Sequence, residues 1–413
     1  MTQKRVAAHT LGCKVNQCDT EALLTRLVGM GFAVVAFSEV ADIYIINTCT
    51  VTHVSDRKSR QMIRRARKLN PEAFVAVCGC MAKNDPAIAR EIGADYIFDA
   101  REPESLIGKI DRFDDNGKSL ILFPNHQVKF FHTRAFIKIQ DGCDRFCSYC
   151  IVPHVRGAPQ SRPMAEILAE AENFIKNSTL EIVLTGIQVA SYGDDTEEAN
   201  LATLIKYVAA LDGLKRLRLS SIDPWAVNSA FLDAVDSSPA LCSHFHLSLQ
   251  SGCTTTLTRM NRRYTTEEYA KAAKALRELR PDAALTTDVI VGFPGESHEN
   301  FQDSLKFVQD MKFAKVHVFE YSPRAGTPAA EFPLQVPSQV KSERGKIMRE
   351  LTAKTQARFL KKQIGKTMPV LFESTQKGHT ENYCPVEVAS TSPNTIQNVK
   401  ITGATGELLI GTI

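Results

Sequence analysis

Between Val6 and Phe98 short apolar runs alternate with longer stretches in which apolar residues recur every three or four positions. The runs Val6–Thr10, Ile43–Ile46, Phe74–Val77 and Tyr96–Phe98 are too short for buried helices and read as strands, whereas the stretches near 19–30, 54–69 and 85–92 carry helical spacing. Strict alternation of the two kinds predicts a βαβ domain with a parallel sheet over residues 1–128. Residues 129–335 repeat a strand-then-helix unit, with strands at Ala135–Ile139, Glu181–Leu184, Arg216–Leu219, Phe245–Leu249, Leu285–Ile290 and Val316–Phe319. Six such units predict a partial (β/α)6 barrel, because a full barrel needs two more than the chain supplies. A charged helix is expected over 336–363. The tail, 364–413, carries short β-rich runs such as Met368–Phe372 and Asn398–Thr402, the pattern of a small β-barrel of the oligonucleotide-binding kind. The predicted fold class is therefore α/β with a small C-terminal β-barrel.

Composition adds three constraints. A chain of 413 residues has room for two or three domains with cores of their own. Eleven cysteines without an apolar leader at Met1–Val6 predict a cytoplasmic, reducing compartment, where thiols serve metal or redox chemistry rather than disulfides. No apolar run approaches the ~18 residues of a membrane span, so no membrane partner is expected. A net charge of +4 is too small to imply nucleic-acid binding globally, so any such surface has to be local.

The most specific chemistry lies at Cys143, Cys147 and Cys150, spaced C-x3-C-x2-C on one short loop after the first barrel strand. Three thiolates so close can ligate three irons of a [4Fe-4S] cluster and leave the fourth open to a small molecule. A ferredoxin would need a fourth cysteine, and structural zinc would show paired C-x2-C knuckles or added histidines. The loop resembles that of the radical S-adenosylmethionine enzymes, and the resemblance implies that Tyr149 packs the adenine of the cofactor. It also implies that the glycine stretch after the second strand, Gly186 with Gln188, receives the cofactor's methionine amino group. Ser220 and Ser221, Gln250, and Asp288 with Gly292 sit around the same rim and are candidate cofactor contacts.

A second set is spread along the sequence. Cys13, Cys49 and Cys80 each follow the end of one of the first three strands, where ligands of a parallel sheet collect, so they are candidate ligands of an auxiliary cluster. Cys18 and Cys78 compete for that role, although their positions within a helix and a strand suit small buried side chains. The helix after Cys49 carries Arg57, Arg60, Arg64 and Lys68 at three- and four-residue steps, a basic stripe suited to an RNA backbone or simply to solvent. A second basic helix holds Lys341, Arg344, Lys346, Arg349, Lys354, Arg358, Lys361 and Lys362. Two basic helices and an oligonucleotide-type barrel favour RNA as the partner. His53, His132, His154 and His246 show no metal spacing and read as structural or solvated, Trp225 reads as packing, and Cys242, Cys253 and Cys384 read as buried thiols.

Over nearly its whole length the chain resembles the methylthiotransferases. The matching strings are Leu11–Asn16, Asn47–Thr52, Gly79-Cys80, Gly142–Pro153 with Arg156-Gly157, and His246–Gly252. Ile151–Gly157 and the tail Thr380–Val386 look most like the branch acting on N6-threonylcarbamoyladenosine at position 37, beside the anticodon of tRNA; sister branches act on N6-isopentenyladenosine or on a ribosomal-protein aspartate. Cys18 departs from the aromatic residue frequent there. The resemblance implies two [4Fe-4S] clusters, the auxiliary one on Cys13, Cys49 and Cys80. It implies S-adenosylmethionine used twice, as methyl donor and as source of a 5′-deoxyadenosyl radical that activates carbon 2 of the adenine. The anticodon stem-loop as partner, flavodoxin or ferredoxin as electron donor, and a monomer are the expectations that accompany it. The competing readings are a radical S-adenosylmethionine enzyme of other chemistry, such as plain RNA methylation or sulfur insertion into a small molecule, and an iron–sulfur RNA-binding redox sensor without catalysis.

Overall fold

The computed structural model describes residues 3–112, 133–196 and 199–413. The expected boundary at 128 and His132 lie outside them. The chain divides into two compact units, Met1–Phe131 with Cys150–Gly157, and His132–Tyr149 with Ala158–Ile413.

In the first unit, β1 (Arg5–Thr10), α1 (Lys14–Gly29), β2 (Ala33–Val35), β3 (Ile43–Thr48), α2 (His53–Leu69), β4 (Phe74–Gly79), α3 (Cys80–Asn84), α4 (Pro86–Glu91), β5 (Tyr96–Ile97) and α5 (Glu104–Arg112) follow in order. All sheet pairings are parallel, in the order β2-β1-β3-β4-β5. Alternate residues of the central strands bury on opposite faces: Tyr44, Ile46, Val75 and Val77 meet Ile63 and Ala66 of α2, while Ile43, Ile45, Ala76 and Cys78 meet Leu23, Leu24 and Leu27 of α1. Two sequence expectations change here. The helix expected near 19 begins at Lys14, so Cys13 occupies its N-cap, and the short edge strand Ala33–Val35 lacked enough alternation to be seen. The strand order reverses between β1 and β3, which places a ligand crevice beyond their carboxyl ends.

The short helix α6 (Val152–Arg156) belongs to the first unit. The second unit begins with β6 (Arg134–Asp141) and, after that helix, continues through β7 (Gln160–Ser161), α7 (Met164–Lys176), β8 (Glu181–Gly186), α8 (Leu201–Ala209), β9 (Arg216–Leu219), α9 (Ser229–Ser237), β10 (His244–His246), α10 (Thr254–Arg259), α11 (Thr266–Leu279), β11 (Ala284–Val291), α12 (His298–Met311) and β12 (Lys315–Glu320). Strands β6, β8 and β9 pair in parallel, as do β10, β11 and β12. Parallel bridges at Leu217–Leu241 and Ile222–Leu247 join the two sets into the six-stranded partial barrel. Outward side chains such as Ile137, Leu184, Leu219, Phe245, Leu285 and Val289 fill one core beneath the helices. Helix α13 (Ser338–Lys361) leads to β13 (Thr367–Phe372), β14 (Lys377–Thr380), β15 (Pro385–Glu387), β16 (Thr395–Ala404) and β17 (Leu409–Thr412), which close into a five-stranded barrel.

Candidate active site

Loop geometry at the carboxyl end of the first sheet gathers the three strand-end cysteines. Gly12 turns with φ +99°, and a Cβ there would lie 2.9 Å from the Cys49 sulfur, so only glycine lets the β1 loop close over Cys49. Gly79, with φ +87°, leaves no room for a Cβ against the Thr48 carbonyl, and this tight passage delivers Cys80 at the start of α3. The Cys49 amide donates to the Ser59 hydroxyl at 3.0 Å, and the Thr48 hydroxyl accepts from the Ala82 amide at 3.1 Å. Asn16 donates to the Leu11 and Thr48 carbonyls, tying the first two loops together. Burial pushes the Cys80 thiol up to about 11, with the charges of Cys13 and Cys49 adding to the rise and the Arg156 guanidinium opposing it through a hydrogen bond. The three thiols therefore lie within electrostatic reach of one another. Among the described residues the only group of three His, Cys, Asp or Glu ligand atoms all within 4.8 Å of one another is His246, Asp288 and His317, so the three thiols do not surround a single ion. Soft thiol donors, spread more widely than one ion needs and backed by a guanidinium, fit an iron–sulfur cluster.

The competing thiols sit elsewhere. Cys78 lies in the α1 side of the core with its thiol pushed well up by burial, and Cys18 lies on α1. Arg156, noticed in sequence only as part of a matching string, also pairs with Asp19 and donates to Asn16.

In the second unit, Gly142 turns out of β6 with φ +74° into the loop bearing Cys143 and Cys147; Cys150 opens the segment grouped with the first unit. The Ser148 amide donates to the Met260 carbonyl at 3.0 Å and its hydroxyl to the Arg259 carbonyl at 2.8 Å, while Asn261 donates to the Phe146 carbonyl at 2.9 Å. The Arg145 guanidinium lies over the Trp225 ring at 4.4 Å, so Trp225, expected to serve core packing, braces this loop. Tyr149 meets Phe293 edge-on, with ring centroids 6.4 Å apart.

A polar chain, of which the sequence singles out Gln188 and Cys147 alone, runs behind the loop. Gln140 accepts from the Gln188 amide at 2.8 Å, Gln188 donates through its side chain to Asp223 at 2.6 Å, and Asp223 pairs with Arg262. Arg262 donates onward to the Cys147 sulfur at 3.4 Å and to the Tyr264 hydroxyl at 3.0 Å. Gln140, Asp223, Arg262 and Tyr264 are far apart in sequence and belong to no motif, so no periodicity announces them. Gly186 has a packing reason for lacking a side chain, since a Cβ would press to 3.1 Å on Gln140, and Gly292 combines φ +70° with close approach to Lys341. Gln250, at φ +66°, bonds β11 on both sides through Asp288 and Ile290. Ser220 is half-buried and Ser221 exposed. The Asp288 carboxylate lies 3.4 Å from His246. His53 and His154 are exposed; Cys242, Cys253 and Cys384 are buried. Arg262→Lys keeps the charge but loses the fork that reaches sulfur, carboxylate and phenol together. We expect S-adenosylmethionine cleavage to fall about tenfold or more, with an altered cluster electron paramagnetic resonance signal.

Of the basic stripe on α2, Arg57, Arg64 and Lys68 are exposed, whereas Arg60 is held by Asp56 at 2.9 Å. On α13, Arg344 is buried against Glu296 and Lys341 donates to the Tyr321 carbonyl, so these two serve the fold.

Comparison with known proteins agrees with this geometry. Residues 137–308 match the Radical SAM superfamily and residues 5–99 match Uncharacterized protein family UPF0004. The chain is 37% identical over 96% of its length, and 93% of the relative's, to the threonylcarbamoyladenosine tRNA methylthiotransferase MtaB of Bacillus subtilis (strain 168). It is 38% identical to the MtaB of Chlamydia pneumoniae, over 98% of this chain and 96% of that one. The chain belongs to the radical S-adenosylmethionine tRNA methylthiotransferases. Family members of the other tRNA branch are also close: the tRNA-2-methylthio-N(6)-dimethylallyladenosine synthase of Alkaliphilus oremlandii (strain OhILAs) is 34% identical over 91% of this chain and 83% of that one. Among solved structures, the radical S-adenosylmethionine methyltransferase TsrM from Kitasatospora setae aligns over 80% of this chain and 77% of its own with a TM-score of 0.59 at 16% identity, a likeness of fold alone. As a tRNA methylthiotransferase the enzyme uses S-adenosylmethionine and two [4Fe-4S] clusters. No helix among the described residues is long and apolar enough to cross a membrane.

Proposed function

We propose that this methylthiotransferase modifies C2 of N6-threonylcarbamoyladenosine at position 37 of tRNA, giving the 2-methylthio nucleoside. The observation that carries methylthio transfer is the gathering of Cys13, Cys49 and Cys80 at the carboxyl end of one sheet, in a chain that separately holds the Cys143, Cys147 and Cys150 loop; the 37% and 38% identity to the two MtaB relatives favours the threonylcarbamoyl branch. One cluster with S-adenosylmethionine supplies the C–H activation that acid–base side chains cannot perform, and the second supplies a site for the sulfur. Cys13, Cys49 and Cys80 hold one group; Cys143, Cys147 and Cys150 hold the other. Arg262 and Asp223 fix the orientation of the Cys147 side chain, and Tyr149, Gly186, Gln188, Ser220, Ser221, Gln250, Asp288 and Gly292 form the cofactor rim. The mass spectrum of tRNA nucleosides from a strain lacking the gene tests the substrate. Loss of 2-methylthio-N6-threonylcarbamoyladenosine is expected; its persistence with loss of the isopentenyl derivative would move the chain to the sister branch, whose members are 34% identical.

The RNA surface includes Arg57, Arg64 and Lys68, with Arg60 contributing from its pair with Asp56. A triple Arg57→Ala, Arg64→Ala, Lys68→Ala variant is expected to weaken binding of an anticodon stem-loop and to lower the salt dependence by about one logarithmic unit per lost phosphate contact, measured by filter binding across ionic strength. Cytoplasmic location, a monomeric state and a flavodoxin or ferredoxin as electron donor complete the reading.

A further inference from the structure

The inner face of β10–β12 is polar, unlike the outer face that packs under the helices. Alternation along the strands aims His246, Thr286, Asp288, Lys315 and His317 inward while Phe245, Leu285, Val289, Val316 and Val318 pack outward. Against the inner face lies a cavity of about 220 Å³, walled on its other sides by Gln356 and Phe359 of α13 and by the turn before β15 that carries Tyr383. Its lining includes imidazoles and the Lys315 ammonium but no carboxylate. Asp288 stands outside the lining, 3.4 Å behind His246 and beside His317. Its carboxylate lies beside both rings, and burial, the larger influence on His317, holds that imidazole below its usual value despite the neighbouring charge.

Two backbone links lead from the cavity wall toward the cofactor rim: His246 lies four positions before Gln250, and the Gln250 amide donates at 2.9 Å to the carbonyl of Asp288, two positions beyond the lining residue Thr286. Tyr383 is held in an uncommon left-handed conformation, φ +63°, by stacking on His379 at 4.7 Å and by the Arg218 guanidinium at 4.6 Å. A bulky residue is kept there only when its surroundings over-determine it, which marks the turn as a built wall.

We propose that this cavity receives the carboxylate end of the substituent on N6 of the target adenine, with Lys315 and His317 as its cationic and hydrogen-bonding contacts and Tyr383 as its wall. The proposal rests on the threonylcarbamoyl reading above. The bond from C6 to N6 diverges from the bond at C2, so a base presented through C2 sends its substituent away from the reacting carbon. A threonylcarbamoyl group ends in a carboxylate and a hydroxyl, matched to a lining with a lysine ammonium and N–H donors. An isopentenyl group would leave those donors unpaired, and a site that hydrogen-bonds its substrate discriminates strongly against an analogue that lacks the partner.

The test uses the reconstituted full-length enzyme with two anticodon stem-loop RNAs, one bearing the free threonylcarbamoyl acid and one bearing its carboxamide. The wild-type enzyme is expected to favour the acid at least tenfold in kcat/KM, and Lys315→Met and His317→Leu are each expected to collapse that preference, with Lys315→Arg restoring part of it. Iron content and melting temperature equal to wild type establish that the variants are folded; should one fail this check, the acid-to-amide ratio of the wild type and of the other variant decides. Equal use of acid and amide by the wild type, or equal losses on both RNAs in the folded variants, overturns the proposal. So does a stoichiometric divalent metal other than iron that disappears in His317→Leu, because the three side chains would then form an ion site. If neither threonylcarbamoyl RNA is modified while an isopentenyl RNA is, it is the substrate reading itself that fails.

Discussion

Replacing Cys80 with alanine is expected to halve the iron of the reconstituted enzyme, from about eight to about four atoms per chain, and to abolish the methylthio nucleoside. S-Adenosylmethionine should still be cleaved to 5′-deoxyadenosine, because Cys143, Cys147 and Cys150 are untouched. The size of the effect follows from the local structure. Cys80 is 6% exposed and enters from the tight turn at Gly79, so no neighbouring thiol can take its place without moving β4. Cys78, two residues earlier, is directed into the core on the α1 side. The same substitution at Cys78 should leave iron and activity near wild type and cost about 1 kcal/mol or less of stability, the loss of one small buried group. Iron and sulfide analysis, run beside the nucleoside assay, separates the two. Loss of product from Cys80→Ala with all eight irons retained would remove Cys80 from the ligand set.

That the strand-end cysteines stand out in sequence, and the residues around them do not, has a physical basis. A thiol beyond a strand end announces itself twice, by its chemistry and by its place in a βαβ pattern. The strand order that brings Cys13 and Cys49 together across the reversal is consistent with that pattern but is fixed by side-chain packing, and α1 begins five residues before the expected start because Lys14–Asn16 carry no strong helical periodicity. Arg262, Asp223 and Gln140 are ordinary polar residues whose meaning comes only from meeting at the mouth of the barrel. The basic helices show the converse. Helical spacing correctly places Lys341 and Arg344 on α13, yet one bonds a carbonyl and the other a buried carboxylate, because a charge pattern does not reveal what packs against it.

The stability of the second unit should depend most steeply on Glu181. Its side chain is fully buried and is ringed by three arginines: Arg134 at 2.6 Å, Arg218 at 2.9 Å and Arg216 at 3.7 Å. Burial alone would raise its carboxyl, but Arg218, Arg134 and Arg216 together outweigh it and hold the group at about 2. The fall from the ordinary 4.5 corresponds to about 3 kcal/mol of stability. Because the folded value is depressed, that contribution is complete above pH 4.5 and is lost as pH falls toward 2. Glu181→Gln, which keeps the size but not the charge, should therefore lower stability by about 3 kcal/mol at pH 7, and the gap from wild type should narrow at pH 3. Glu181→Ala should cost about 3–5 kcal/mol, since it leaves buried guanidinium groups without their counter-charge. The C-terminal barrel should loosen with it. Arg216 donates to the Pro369 carbonyl at 2.7 Å and to the His379 carbonyl at 3.0 Å, and Arg134 also pairs with Glu373 at 2.5 Å, so the arginines that Glu181 positions are those that hold the barrel. Denaturant melts at the two pH values, with limited proteolysis of the segment 362–413, check both expectations; a Glu181→Gln protein as stable as wild type at pH 7 would show that the carboxylate charge contributes nothing net to the fold.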